Sequence, residues 1–163
     1  MRAAIAAHLR AHNVARIIYG AIIGLALVLA LELHPPASGA VVATLLGTAL
    51  AVAVAEVYSD VIGTEVRTRR RISRAHLSEL LEDAGAVAFG ISFPAVFFIL
   101  AAAGAIDIEL AFTLAKWSGL GLIGFYGFCA ARLAGATVRR ALLQAVAVGL
   151  IGGFVIALKA LVH

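Results

Sequence analysis

The fold class this chain predicts is an all-α, polytopic integral membrane bundle of five transmembrane helices. Three observations carry that reading. Five apolar stretches, at about 15–33, 39–59, 84–105, 108–131 and 141–161, take up most of the 163 residues. Each holds about 19–24 residues, enough at 1.5 Å per residue to cross a hydrocarbon core of ~30 Å. Hydrophobic residues make up 63% of the chain and charged residues 13%, with a mean hydropathy of +1.06, whereas a water-soluble domain is about one-quarter charged. The charges also fall mostly between the stretches and not along one face of them, so no stretch reads as the amphipathic helix of a soluble core. The whole chain, 1–163, reads as one membrane domain with a single sizeable polar segment at 63–83.

The first stretch opens after 14 mixed residues and is too long for a signal-peptide apolar region, so no cleavable leader is expected. Pro35-Pro36 ends it and forces a tight turn into the second. After the second stretch, Ser73 is placed to cap a short helix Arg74–Asp83. In that helix Leu77, Leu80 and Leu81 share one face, and Glu79, Glu82 and Asp83 face water. Two readings of it stay open. One is an interfacial helix with a basic approach, lying on anionic lipid. The other is a carboxylate cluster that gathers cations at a pore mouth. The third stretch contains Pro94, which predicts a kink, with Ser92 positioned to help satisfy the freed carbonyl. Gly104 marks the break before the fourth stretch, making the third and fourth antiparallel neighbours.

Arginine distribution predicts the orientation. Arg2, Arg10 and Arg16 precede or open the first stretch; Arg67, Arg69, Arg70, Arg71 and Arg74 follow the second; Arg132, Arg139 and Arg140 lie between the fourth and fifth. These are eleven of the 13 basic residues, and the alternate connections His34–Ser38 and Ala105–Ile108 hold none. The positive-inside rule puts the N-terminus in the cytoplasm and the C-terminus, with Lys159 and His163, outside a cell inner membrane. It also accounts for the sequence pI near 9.8, so nucleic acid is not an expected partner. Cys129 stands alone and forms no intramolecular disulfide or paired thiolate site.

A few residues are out of place in lipid. Glu56 and Asp60 lie one turn apart on the second stretch, and Thr44 and Thr48 continue the same i, i+4 line with Val52 interrupting it. A charge at the bilayer centre costs ~3 to more than 10 kcal/mol, so this line should face protein or water. Either both carboxylates reach the inner interface and meet Arg67 or Arg132, or Glu56 binds a cation or proton, with Asp60 beside it as a second metal ligand. Lys116, on the fourth stretch beside Trp117, either extends to the outer interface or pairs with Glu109 or Glu32; Glu56 lies in the opposite leaflet from it. Gly20-x3-Gly24, Gly149-x3-Gly153 and the Gly121, Gly124 and Gly127 run allow close helix approach and often a dimer. Tyr19, Tyr58 and Tyr126 supply hydroxyls or interface aromatics. His8, His12, His34, His76 and His163 lie in tails, loops or boundaries, and no nucleophile elbow, phosphate loop or zinc motif is present. An enzyme is not expected.

The order of elements, with a polar insertion after the second stretch, resembles the vacuolar iron transporter family. Tyr19-Gly20-Ala21-Ile22-Ile23-Gly24 is similar to that family's Tyr-Gly-x-x-Asp-Gly segment, with Ile23 at the aspartate position. Ala55-Glu56-Val57-Tyr58-Ser59 is similar to its Gly-Glu-aromatic-x-Ser pattern, with Val52 where a methionine is expected. The resemblance implies a vacuolar-iron-transporter-like bundle, a homodimer, and exchange of divalent metal for protons through carboxylates on the first two spans. The metal is then cargo, with no resident cofactor. The function expected is cation or proton translocation centred on Glu56. The reading from a different class is a non-transporting scaffold that binds lipid or a cytosolic partner. A polar cavity reaching Glu56 favours the first, and dry packing around it the second.

Overall fold

A computed structural model describes the backbone of residues 11–161 and the side chains of 13–150, 153 and 154. The terminal arginines Arg2 and Arg10, His163 and the Lys159 side chain, used above for orientation, lie outside the described residues. Six helices follow one another: α1 (Ala11–Leu31), α2 (Ser38–Thr68), α3 (Arg74–Ser92), α4 (Ala95–Ala102), α5 (Ile108–Leu133) and α6 (Val138–Leu161). The all-α class is therefore as expected. Among the described residues three helices are long and apolar enough to cross a membrane: α1 from Asn13, α2 and α5. The pair α3 and α4, bent by 49°, passes as a fourth.

Helix ends depart from the hydropathy boundaries, and the reason is local. Hydropathy marks where lipid-compatible side chains stop; a helix stops where its backbone is capped. The second apolar stretch ends near 59, but α2 continues to Thr68 and stops only at Arg69, which is left-handed at φ 52. Its amide donates to the Glu65 carbonyl at 2.8 Å. The short helix expected at Arg74–Asp83 is not separate. Ser73 does cap it, accepting from the His76 amide at 3.2 Å, but α3 runs on unbroken to Ser92. Most of segment 63–83 is thus the base of a helical hairpin.

The break comes at Pro94, which opens α4. Proline has no N–H to donate to the Gly90 carbonyl four residues back. The Ser92 hydroxyl donates to the Phe89 carbonyl at 3.4 Å, one residue before the carbonyl that Pro94 frees.

Helix α1 is central, packed on α3 at one side and α5 at the other; α2 packs on α3 and α4, and α6 on α5. The α1–α3 crossing is parallel and close. A Cβ on Gly20 would lie 2.2 Å from the Val87 carbonyl oxygen, and one on Gly24 2.9 Å from that of Ile91. On the facing helix, a Cβ on Gly90 would lie 2.5 Å from the Ile17 oxygen. The Gly20-x3-Gly24 approach is therefore within one chain, and these glycines are not available as a seam between copies. Two apolar clusters close the ends. Val28, Val41, Leu45, Phe98 and Phe112 fill the end near Pro35-Pro36, and Val14, Ile17, Ala86 and Tyr126 the arginine-rich end. The outward face of α2 is bare: Leu46, Leu50, Val54, Tyr58, Ile62 and Val66 are exposed.

Candidate functional site

The α1–α3 register builds the site. Arg16 is one turn before Gly20, and Asp83 is one turn before Val87. The parallel crossing that sets Gly20 against Val87 therefore sets Arg16 beside Asp83. Their charged atoms are 3.9 Å apart. Helix α2 supplies the other two carboxylates from one face. Glu56 Oε2 is 3.3 Å from Arg16 Nη1, and Arg16 Nη2 donates to Asp60 Oδ2 at 3.4 Å. One guanidinium thus serves three acids from two helices, and the group carries a formal charge of −2 when all are ionised.

The acids are not equivalent. The side chains of Glu56 and Asp83 are 17% and 15% exposed, and Asp60 is 42% exposed. Glu56 Oε2 is buried and accepts no hydrogen bond among the described residues.

A cavity of about 380 Å³ opens beside this group at the arginine-rich end. Asn13, Arg16, Asp60, Thr64, Arg67, His76, Glu79, Glu82 and Asp83 form part of its wall. His76 Nδ1 is 3.2 Å from Glu79 Oε2. Arg16 is part of its wall, and Glu56, which contacts that guanidinium, is not. One helical turn beyond Glu56 the packing is dry: Ile23 and Val52 pack on the buried cluster Ala49, Val87 and Ile91.

The sequence-derived candidates separate into three groups. Glu56 and Asp60 do converge, as their spacing predicts, but the cation between them is Arg16 and not Arg67 or Arg132. Arg67 lines the cavity, and Arg132 donates to the Ala136 carbonyl at 2.8 Å. Lys116 takes one of the pairings left open: its Nζ donates to Glu32 Oε1, joining α5 to the end of α1 remote from Arg16. Tyr19 and Tyr58 point outward, Tyr126 is in the core, and Thr48 is half-buried on α2 away from the carboxylate group. The Thr44 hydroxyl is turned back to the Ala40 carbonyl at 2.8 Å.

Arg16 and Asp83 are the functional candidates that sequence reasoning missed. Arg16 reads as a tail charge, yet its place one turn before Gly20 was the available signal. Asp83 reads as water-facing, because the helix carrying it was cut off from the span that follows. Among the described residues no group of three or more His, Cys, Asp or Glu side chains is arranged to hold a metal ion. Comparison with protein-family models, curated proteins and solved structures gives no match.

Proposed function

We propose that this is a membrane protein that moves a proton or a small monovalent cation, with Glu56 as its central ionisable group and Arg16 as a tethered counter-cation. The observation that carries the reading is the sharing of one guanidinium by Glu56, Asp60 and Asp83 beside a polar cavity. Among the described residues the group sets three acids against one base. A proton or cation arriving through the cavity reduces the formal charge from −2 to −1 and loosens the hold on Arg16. Arginine itself stays protonated, so it moves as a charge and does not donate its proton.

In this reading the arginine-rich end is cytoplasmic, α3 and α4 together form the third span and α6 the fifth, in a bundle like the vacuolar iron transporters. Divalent metal fits less well than a proton. The position that the resemblance gives to an aspartate is Ile23, and the methionine position is Val52; both belong to one apolar cluster. Hard and borderline cations need more oxygen ligands than a carboxylate group already holding an arginine offers.

Proteoliposomes test the proposal. Glu56→Gln keeps the side chain's shape and should abolish proton-linked or monovalent cation flux that the unchanged protein supports. Flux unaltered in that variant removes Glu56 from the mechanism. The dry packing beyond Glu56 favours a second reading, a scaffold in which Arg16 staples α1 to α2 and α3. Absence of flux for every ion tested, together with a large loss of stability in Arg16→Gln, would favour the scaffold.

A further inference from the structure

The turn between α2 and α3 carries five arginines in eight residues: Arg67, Arg69, Arg70, Arg71 and Arg74, all exposed. Among the described residues none of these guanidiniums lies within ion-pair distance of a carboxylate. Glu65, on the last turn of α2, has its Oε1 taken up by the Ile72 amide at 3.2 Å. That bond, the left-handed Arg69 and the Ser73 cap fix the backbone of the turn. The arginines are therefore displayed on a built support and, among the described residues, left without an acidic partner. The positive end of the α3 dipole adds to the same field.

We infer that this turn is a docking surface for the anionic phospholipid headgroups of the leaflet it faces. Length supports a lipid partner. Helix α2 has 31 residues, about 46 Å at 1.5 Å each, against ~30 Å for the hydrocarbon and ~40–45 Å with headgroups included. A helix that enters at the Pro35-Pro36 end thus delivers its far end to the edge of the opposite headgroup layer, where an arginine side chain reaches phosphate. The charge is also spread as a plane: Arg132, Arg139 and Arg140, exposed at the α5–α6 turn, stand at the same end of the bundle. Residues 67–74 hold no aromatic side chain on which a nucleic-acid base could stack.

The test uses the full chain in neutral detergent at ~0.1 M salt, with short-chain phosphatidylglycerol and phosphatidylcholine as probes and a single-stranded oligonucleotide as the competing polyanion. The triple variant Arg70→Gln, Arg71→Gln, Arg74→Gln removes charge from side chains that make no contact the fold needs. Phosphatidylglycerol should bind the unchanged protein more than about a hundredfold tighter than phosphatidylcholine, and the triple variant should lose about that factor, as three charges near a lipid surface require. The matching triple Lys variant, which keeps the charge, should retain most of the binding with unchanged helicity. Equal binding of the two lipids, unchanged binding in the Gln variant, or tighter binding of the oligonucleotide would each overturn the assignment.

Discussion

Gly20 lies directly under the carbonyl of Val87, so close that a methyl group on the glycine would sit 2.2 Å from the oxygen. That contact sets the distance between α1 and α3, and hence where Arg16 meets Asp83. Gly20→Ala must push backbone against backbone, and overpacking of this kind costs ~1–3 kcal/mol or more. Thermal melting in detergent should show the loss. Gly85→Ala, on α3 with nothing within 4 Å of its Cβ, should be neutral or stabilising by up to ~1 kcal/mol. Equal melting temperatures for the two variants would mean that the crossing is looser than described.

Arg16→Gln leaves three carboxylates facing one another. Breaking a fully buried pair costs ~3–5 kcal/mol; here Asp60 is 42% exposed, and solvent lowers the figure to on the order of 2 kcal/mol. The sign of the pH effect differs between the two proteins. Acid removes a favourable pairing from the unchanged protein, but relieves repulsion in the variant. The stability gap should be smaller in acid, where the carboxylates are protonated, than at neutral pH. A gap that widens on acidification would contradict the charge arrangement.

The Lys116–Glu32 bond joins the far end of α1 to α5. Both side chains are about three-quarters buried, so each single removal takes this partner from the other charge. Lys116→Met and Glu32→Gln should each destabilise, and the double variant should cost less than their sum. A coupling energy of ~0.5–3 kcal/mol is expected from the double-mutant cycle in thermal unfolding. Strict additivity would show that the pair contributes nothing.

A homodimer, if the protein forms one in the bilayer, has its seam on α2 and not on α1. Small residues recur at every fourth position there, Ala43, Gly47, Ala51, Ala55, Ser59 and Gly63, beside the exposed line through Leu50 and Val54. Such spacing lets backbones approach in lipid. Ala51→Leu with Ala55→Leu should lower the mass per particle from two chains to one without loss of helicity. A single-chain mass for the unchanged protein would remove the dimer from the account.

Cysteine labelling in intact cells, in a Cys129→Ala background, tests orientation. A cysteine at Ser73 should be protected from an impermeant reagent added outside, and one at Ser38 should react. The reverse pattern would invert the bundle and place the cavity mouth outside.

The apolar cores of the helices were legible because hydropathy alone decides which segments can be lipid-covered. The kink at Pro94 and the cap at Ser73 were legible too, since each depends on one residue's backbone chemistry. What could not be read was register. Nothing in the spacing of Arg16 shows that it will face Asp83, 67 positions away; that follows from glycines letting two parallel helices touch. The same contact redirected the Gly20-x3-Gly24 motif, which looks alike whether its partner is a second chain or a neighbouring helix. Lys116 stood between, since its pairing with Glu32 was one of the options that its position allowed.

The apolar cluster of Ile23, Val52, Ala49, Val87 and Ile91 has an electrical consequence. In a bilayer, solvent entering the cavity carries the potential of its own compartment inward as far as Arg16. The voltage then falls across the apolar packing that runs from Ile23 and Val52 to the far-end cluster of Val28, Val41, Leu45, Phe98 and Phe112. A charge moved across that packing would feel most of the available ~2.3 kcal/mol per 100 mV. Ile23 and Val52 form the first layer of this insulator. Replacing Ile23 or Val52 by a polar residue would thin it, and the current through the protein, or its absence, would report the change directly.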